Sequence, residues 1–91
     1  MTDLETAQYL NRQHPNPWTP GQWYPAHMPD SGPVEIRRTT GGGRCRDQRY
    51  LHVRWPITVK VRATQTGIIE GEYSDYAHIR INLTTGHGKY L

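Results

Sequence analysis

Arginine and lysine side chains are concentrated between residues 37 and 62. This stretch carries eight of the eleven basic residues of the chain against one acid, Asp47. Guanidinium and ammonium groups at this density bind phosphates or carboxylates. Tyr50 and His52 lie among them, and aromatic rings beside cations are typical of proteins that bind single-stranded nucleic acid. The predicted contact residues are Arg37, Arg38, Arg44, Arg46, Arg49, Tyr50, His52, Arg54, Lys60 and Arg62.

The same basic surface also fits an acidic protein as its partner. In that interpretation the chain is an adaptor or inhibitor, of the accessory type found in phages and mobile elements, and its Arg-rich loop docks on the acidic partner. Trp18, Trp23 and Tyr24 would then anchor the interface, because buried aromatic residues and arginine dominate binding energy. A solvated basic face with no specific role is the remaining interpretation.

No arrangement typical of an enzyme accompanies these residues. Cys45 is the only cysteine and has no recognisable Cys-His-Asp partner set. Glycines 41–43 lack the lysine and hydroxyl residue that complete a phosphate-binding loop. The five histidines have no metal-ligand spacing, although His52 and His78 can meet if their strands pair. We therefore expect no enzymatic activity, no cofactor and no metal.

The composition indicates one small domain. The chain has 91 residues, 34% hydrophobic residues and a net charge of +3. A core built from so few apolar residues is small, and one cysteine excludes an internal disulfide framework. The acidic start of the chain has no apolar signal region, and no apolar run is long enough to span a membrane. These features favour a cytoplasmic protein without a membrane partner.

The first third of the chain predicts a helix followed by an irregular arm. Thr2 and Glu5 have the spacing of a capping box, and Leu4, Ala7 and Leu10 follow at helical spacing. The helix is predicted from Asp3 to Gln13, since the residue before a proline avoids helical geometry. Residues 14–33 hold most of the prolines and two tryptophans, which predicts an extended arm packed over the rest.

Residues 34–91 alternate apolar and polar side chains, the pattern of strands with one buried face. Gly71 predicts a bulge, Pro56 a corner, and Ser74-Asp75 a turn. The predicted strands are Val34–Arg37, Arg49–Trp55, Ile57–Ala63, Ile68–Tyr73, Tyr76–Leu83 and Lys89–Leu91, with a long basic loop from Arg38 to Gln48.

Short strands with one apolar face must curl or be covered. The sequence therefore predicts a mainly all-β fold: a small five- to six-stranded antiparallel barrel, SH3-like or OB-like, with a short N-terminal helix. The predicted parts of this single domain are the helix (1–13), the Pro/Trp-rich arm (14–33) and the barrel (34–91). Pairing of an edge strand with a second copy is a possible route to a homodimer.

Overall fold

The computed structural model describes residues 2–15, 21–63 and 69–91. Its strands form one five-stranded antiparallel sheet whose order follows the sequence, and one short helix precedes them. The prediction of a mainly β chain with an N-terminal helix is confirmed. The elements are α1 (Asp3–Asn11), β1 (Tyr24–Met28), β2 (Gly32–Thr40), a 3-10 turn (Gly43–Cys45), β3 (Arg49–Ala63), β4 (Ile69–Asn82) and β5 (Gly88–Tyr90).

The sheet is open and does not close into a barrel. Among the described residues, β1 and β5 form its two edges, and each pairs with one neighbour. The predicted closure of an SH3-like or OB-like barrel is therefore wrong. The sheet has no need to curl on itself, because α1 covers part of its apolar face and contributes Ala7 and Leu10 to the core.

Helix α1 begins as the sequence predicts and ends two residues early. The Thr2 hydroxyl accepts a hydrogen bond from the Glu5 amide at 3.2 Å, and the Glu5 carboxylate accepts one from the Thr2 amide at 3.3 Å. This reciprocal capping satisfies amides that the first turn leaves unpaired. After the helix, the Gln13 side-chain amide exchanges two hydrogen bonds with the His27 backbone. Gln13 therefore occupies part of the outer edge of β1.

Strand alternation sorts the side chains onto two faces, as predicted. We call the face toward α1 the inner face and the opposite one the outer face. Ile36, Leu51 and Val53 are buried on the inner face. Ala26, Val34 and Ile81 complete the sheet's described contribution there. Burial of this face provides the hydrophobic stabilisation that keeps α1 on the sheet.

Strand β2 is longer than predicted at both ends. It begins at Gly32, inside the predicted arm, and it continues through Arg38 and Thr40, which the sequence assigned to the basic loop. The loop before β3 is correspondingly shorter. Strand β1 also comes from the predicted arm, and as an edge strand it tolerates Pro25. The Pro and Gly content of residues 24–33 predicted an irregular segment, although β1 and β2 form a hairpin in which Met28 pairs with Gly32.

Strands β3 and β4 are each continuous, which corrects three predicted breaks. Their residues pair one to one from Tyr50↔Asn82 to Ala63↔Ile69. Pro56 makes no corner. It lies two residues beyond Arg54, the last residue of β3 that pairs with β2, so this edge of β3 requires no amide donor from Pro56 within the described chain. Ser74-Asp75 forms no turn and Gly71 no bulge, because the long ladder overrides local turn preference. The turn predicted at residues 64–67 lies outside the described residues.

Past the residues that pair with β2 and β5, strands β3 and β4 continue together as a two-stranded ribbon. We use this term for residues 56–63 and 69–76. Residues 56–58, 60 and 71–76 of the ribbon are exposed. The molecule measures 52 × 32 × 25 Å. The ribbon thus extends the sheet without any layer packed on it in the described chain.

Candidate functional site

The outer face brings charged and aromatic residues from three adjacent strands together. Directly paired residues of an antiparallel sheet point to the same side. The register therefore places three rows of side chains side by side on the outer face. These rows are Glu35–Arg54–His78, Arg37–His52–Arg80 and Thr39–Tyr50–Asn82.

Trp23, which immediately precedes β1, lies across this face. The guanidinium carbon of Arg54 is 4.1 Å from its ring centroid, and that of Arg37 is 5.0 Å away. Tyr76 contacts Arg54 at 4.6 Å, and the ring of His78 meets Trp23 edge-on at 5.5 Å. Cations at these distances are attracted to the electron-rich ring faces. The result is a layer in which flat guanidinium groups and rings alternate.

A second pair of the same kind lies further along the strands. The Arg80 guanidinium is 4.7 Å from the centroid of the Tyr50 ring. Both residues are half-buried, so solvent still reaches them. We call the group Trp23, Arg37, Tyr50, Arg54, Tyr76 and Arg80 the arginine–aromatic layer.

The cations of this layer are only partly neutralised. Glu35 forms an ion pair with Arg54 and accepts a hydrogen bond from its Nε atom at 3.1 Å. Both side chains remain partly exposed, so such a pair contributes little to stability. The Nε atom of Arg37 is buried and has no hydrogen-bond acceptor within the described chain. A buried donor without an acceptor is unfavourable.

Two histidines, His52 and His78, lie among the residues of the layer and form what we call the histidine floor. His52 Nδ1 lies 2.7 Å from His78 Nε2, and His52 Nε2 lies 2.8 Å from the Thr39 hydroxyl. Burial, followed by the neighbouring His78, Arg37 and Arg80, lowers the pKa of His52 to about 4. Burial, Arg37 and Arg54 lower the pKa of His78. At neutral pH the pair is uncharged, so the positive charge of this face comes from the arginines.

The short distance between the imidazoles limits their protonation further. One nitrogen of the His52–His78 contact must donate and the other must accept. If both rings were protonated, two N–H groups would face each other at 2.7 Å. The pair therefore accepts at most one proton while the contact survives. The prediction that these histidines meet is confirmed.

Four of the predicted contact residues belong to this face. Arg37, Tyr50, His52 and Arg54 lie on paired rows of β2 and β3. His52 was predicted as a contact residue, but it is only 6% exposed. Its neighbours across the strands bury it, which one strand considered alone could not reveal.

Lys60 and Arg62 lie on the ribbon. Their register partners are the acids Glu72 and Glu70. The side chain of Arg62 lies outside the described part. Opposite charges at paired positions reduce the net charge of the ribbon, so Lys60 adds less to an anion-binding surface than the sequence indicates.

Arg38 and Arg49 alternate onto the inner side of the sheet, away from Arg37. Arg38 is 8% exposed, and its guanidinium donates to the Asn11 side chain at 2.8 Å and to the Asn11 carbonyl at 3.0 Å. Arg38 thereby joins the end of α1 to β2. Arg44 and Arg46 are exposed around the 3-10 turn before β3. The predicted basic patch is therefore divided between two faces and a loop.

The three predicted aromatic anchors have different positions. Trp18 lies outside the described residues. Trp23 belongs to the arginine–aromatic layer, whereas Tyr24 packs against the core and contacts the ring of His14 at 4.6 Å. Tyr76 and Glu35 were not among the predicted site residues, although their outward position on alternating strands was a usable signal. The sequence predicted that the arm containing Trp23 packs over the rest of the chain, but it did not predict the contacts of Trp23 with Arg37 and Arg54.

Within residues 2–15, 21–63 and 69–91, no three His, Cys, Asp or Glu side chains are grouped to hold a metal ion. None of the helices in that part of the chain has the length and apolarity to cross a bilayer. Searches of protein-family models, curated proteins and solved structures gave no match to this chain.

Proposed function

We propose that the chain is a non-enzymatic binding module that holds single-stranded nucleic acid on its outer face. The arginine–aromatic layer is the observation that supports this function most directly. Phosphates attract guanidinium groups, and unpaired bases stack on aromatic and guanidinium planes. A sheet face that offers both within a few ångströms matches a chain of alternating phosphates and bases.

The individual arginines suit different parts of such a ligand. Arg37 lies beside Trp23 on the outer face, and its guanidinium group can bind a phosphate. Arg80 and Tyr50 form a cation–π pair at half-buried positions, and a base can stack on an aromatic ring or a guanidinium plane of this kind. Arg54, enclosed by Trp23, Tyr76 and Glu35, holds the layer in place.

The charge balance of the face favours a polyanion. Arg37, Arg54 and Arg80 are opposed by the single carboxylate of Glu35. The neutral histidine floor adds no cation at pH 7. Binding through phosphates and stacking depends weakly on base sequence, so we expect little sequence preference.

The adaptor interpretation receives less support from the described aromatic residues. Its anchors need to be available to a partner, but Tyr24 packs against the core and Trp23 contacts Arg37 and Arg54. An acidic protein surface remains the competing partner for the same arginines. The binding assay below therefore includes an acidic peptide.

Fluorescence anisotropy with a labelled oligothymidylate, at several salt concentrations, tests the proposal. Each phosphate contact to a single strand contributes about 0.7 to the slope of log affinity against log salt. Arg37→Gln with Arg80→Gln should lower the slope by about 1.4 and weaken binding at least about tenfold. The control, Arg12→Gln with Arg49→Gln, removes the same charge from the end of α1 and from the inner-facing side of β3, and it should retain the slope.

Two results would overturn the proposed function. Equal weakening by the two double variants would mean that net charge matters and the outer face does not. A polyglutamate peptide that binds as tightly as the oligonucleotide would favour an acidic protein partner. Circular dichroism confirms that each variant is folded, and Arg80→Gln alone replaces the double variant if that variant unfolds.

A further inference from the structure

A lysine on β5 extends the outer face beyond the three strands described above. The register pairs Arg37 with His52, His52 with Arg80, and Arg80 with Lys89. Lys89 is exposed, and it belongs to the outer face because directly paired residues point to the same side. These four residues form a line that crosses β2, β3, β4 and β5. We call this line the cross-strand row.

The cross-strand row is positively charged at both ends. Neighbouring strands lie about 4.8 Å apart, so the three strand intervals from Arg37 to Lys89 span about 14 Å. Arg80 occupies the position next to Lys89. His52, in the remaining position, is buried and has a pKa of about 4, so it is uncharged at neutral pH. None of the four residues is acidic, so the whole row suits a chain of phosphates.

The rows on either side are less suited to phosphates. The row toward the ribbon contains Glu35 beside Arg54, and further along the ribbon Lys60 is paired with Glu72. The row on the other side, Thr39–Tyr50–Asn82, has no charged residue. A polyanion that ran along the strands toward the ribbon would approach these carboxylates. A polyanion that crosses the strands along the row does not.

Aromatic rings flank the cross-strand row. Tyr50 belongs to the neighbouring row on one side, and its ring contacts Arg80. Trp23 contacts Arg37 in the row and Arg54 in the row on the other side. Bases of a single strand stack on rings of this kind while its phosphates contact cations. A nucleic acid backbone that follows the row therefore has rings within reach on both of its sides.

The pairing of Arg80 with Lys89 is unfavourable in the free chain. Like charges at directly opposite positions of an antiparallel pair repel each other. Lys60, the other lysine of the chain, lies opposite the acid Glu72 instead. A phosphate bound between Arg80 and Lys89 replaces this repulsion by attraction to both cations. The Arg80–Lys89 pair is therefore better suited to an anion than either residue alone.

We propose that the phosphate backbone of the ligand crosses the strands along the cross-strand row, with Lys89 as its contact on β5. This inference rests on the proposed function, because it assigns a path to the nucleic acid bound there. Lys89 joins the site, although the sequence did not indicate it as a contact residue. Lys60, which the sequence did indicate, lies outside the path.

The two lysines provide a matched pair of variants, because both are exposed residues on the outer side of a strand. In the anisotropy titration with oligothymidylate, Lys89→Gln should lower the salt slope by about 0.7, the contribution of one phosphate contact. Affinity should then fall about fivefold at about 0.1 M salt. Lys60→Gln removes the same charge from the ribbon. It should retain the slope and stay within about twofold of wild-type affinity.

Lysine acetylation followed by mass spectrometry tests the same path on the wild-type chain. The sequence contains two lysines, so the extent of acetylation can be assigned to each of them. Bound oligothymidylate should slow the acetylation of Lys89 several-fold and leave that of Lys60 unchanged. This measurement needs no substitution, so it does not depend on the folding of a variant.

Three results would overturn the path while the wild-type chain still binds oligothymidylate. They are a full salt slope in Lys89→Gln, equal losses in the two lysine variants, and equal protection of both lysines from acetylation. If the slope fell in Arg44→Gln with Arg46→Gln instead, the ligand would run along the strands toward the loop before β3. A wild-type chain that binds no oligothymidylate would overturn the proposed function, and the path with it.

Discussion

Removal of the His52 imidazole should make the fold less sensitive to acid. The ring has a pKa of about 4 in the folded chain, compared with an ordinary value of 6.5 in the unfolded chain. Between these values the unfolded chain binds a proton that the folded chain excludes. Stability contributed by the neutral ring is therefore complete above pH 6.5 and is lost as the pH falls toward about 4.

The size of this effect follows from the pKa difference. The full shift, from 6.5 to about 4, corresponds to about 3 kcal/mol at 1.36 kcal/mol per unit. At about pH 5 roughly 2 kcal/mol of this is already lost. That is a substantial fraction of the roughly 5–15 kcal/mol by which small domains are stable.

Urea unfolding, monitored by circular dichroism at about pH 7 and about pH 5, measures the effect. His52→Gln keeps a side chain that can hydrogen-bond to Thr39 and His78 but does not titrate in this range. The variant should lose about 2 kcal/mol less than wild type between the two pH values, because carboxylates contribute equally to both. His87→Gln, which removes an exposed histidine from the β4–β5 connection, should behave like wild type. Parallel losses in wild type and His52→Gln would refute the reasoning.

Two further substitutions test residues that should stabilise the fold without contributing to ligand binding. Gly86→Ala should destabilise the fold by about 2 kcal/mol, because φ is +78° and a Cβ would lie 2.8 Å from Leu4 Cβ. Gly42→Ala, where a Cβ meets nothing within 4 Å, should leave the thermal midpoint nearly unchanged in the same circular dichroism scan. Arg38→Met should cost about 2 kcal/mol in urea unfolding, since it breaks the link to Asn11. Its oligonucleotide affinity should stay within about twofold of wild type, and a tenfold loss would contradict its placement on the inner face.

Sequence alternation predicted which residues of β2, β3 and β4 share a face, because side-chain direction in a strand is a local property. Ile36, Leu51 and Val53 lie on the predicted inner side. The capping box of α1 is equally local and is confirmed. These features depend on residues close together in the sequence.

Features that depend on distant pairing could not be read from the sequence. Pro56 and Ser74-Asp75 resemble strand breakers, but they lie within the long β3–β4 ladder. The pairing of the residues on both sides of them outweighs their local preference for turns. Arg37 and Arg38 are neighbours in sequence, yet one lies in the arginine–aromatic layer and the other is bonded to Asn11. Clustering of charge along the chain therefore did not establish clustering in space. The placement of Trp23 required the three-dimensional structure.

Strand β3 carries the core and the proposed ligand surface on alternate residues. Leu51 and Val53 belong to the core, while His52 and Arg54 belong to the outer face. A single-residue insertion within this strand would exchange the two sets downstream of it, placing guanidinium groups against α1 and aliphatic groups in water. An insertion in the preceding glycine-rich loop leaves that order intact. Related chains should therefore vary in length before β3 and never inside its first half.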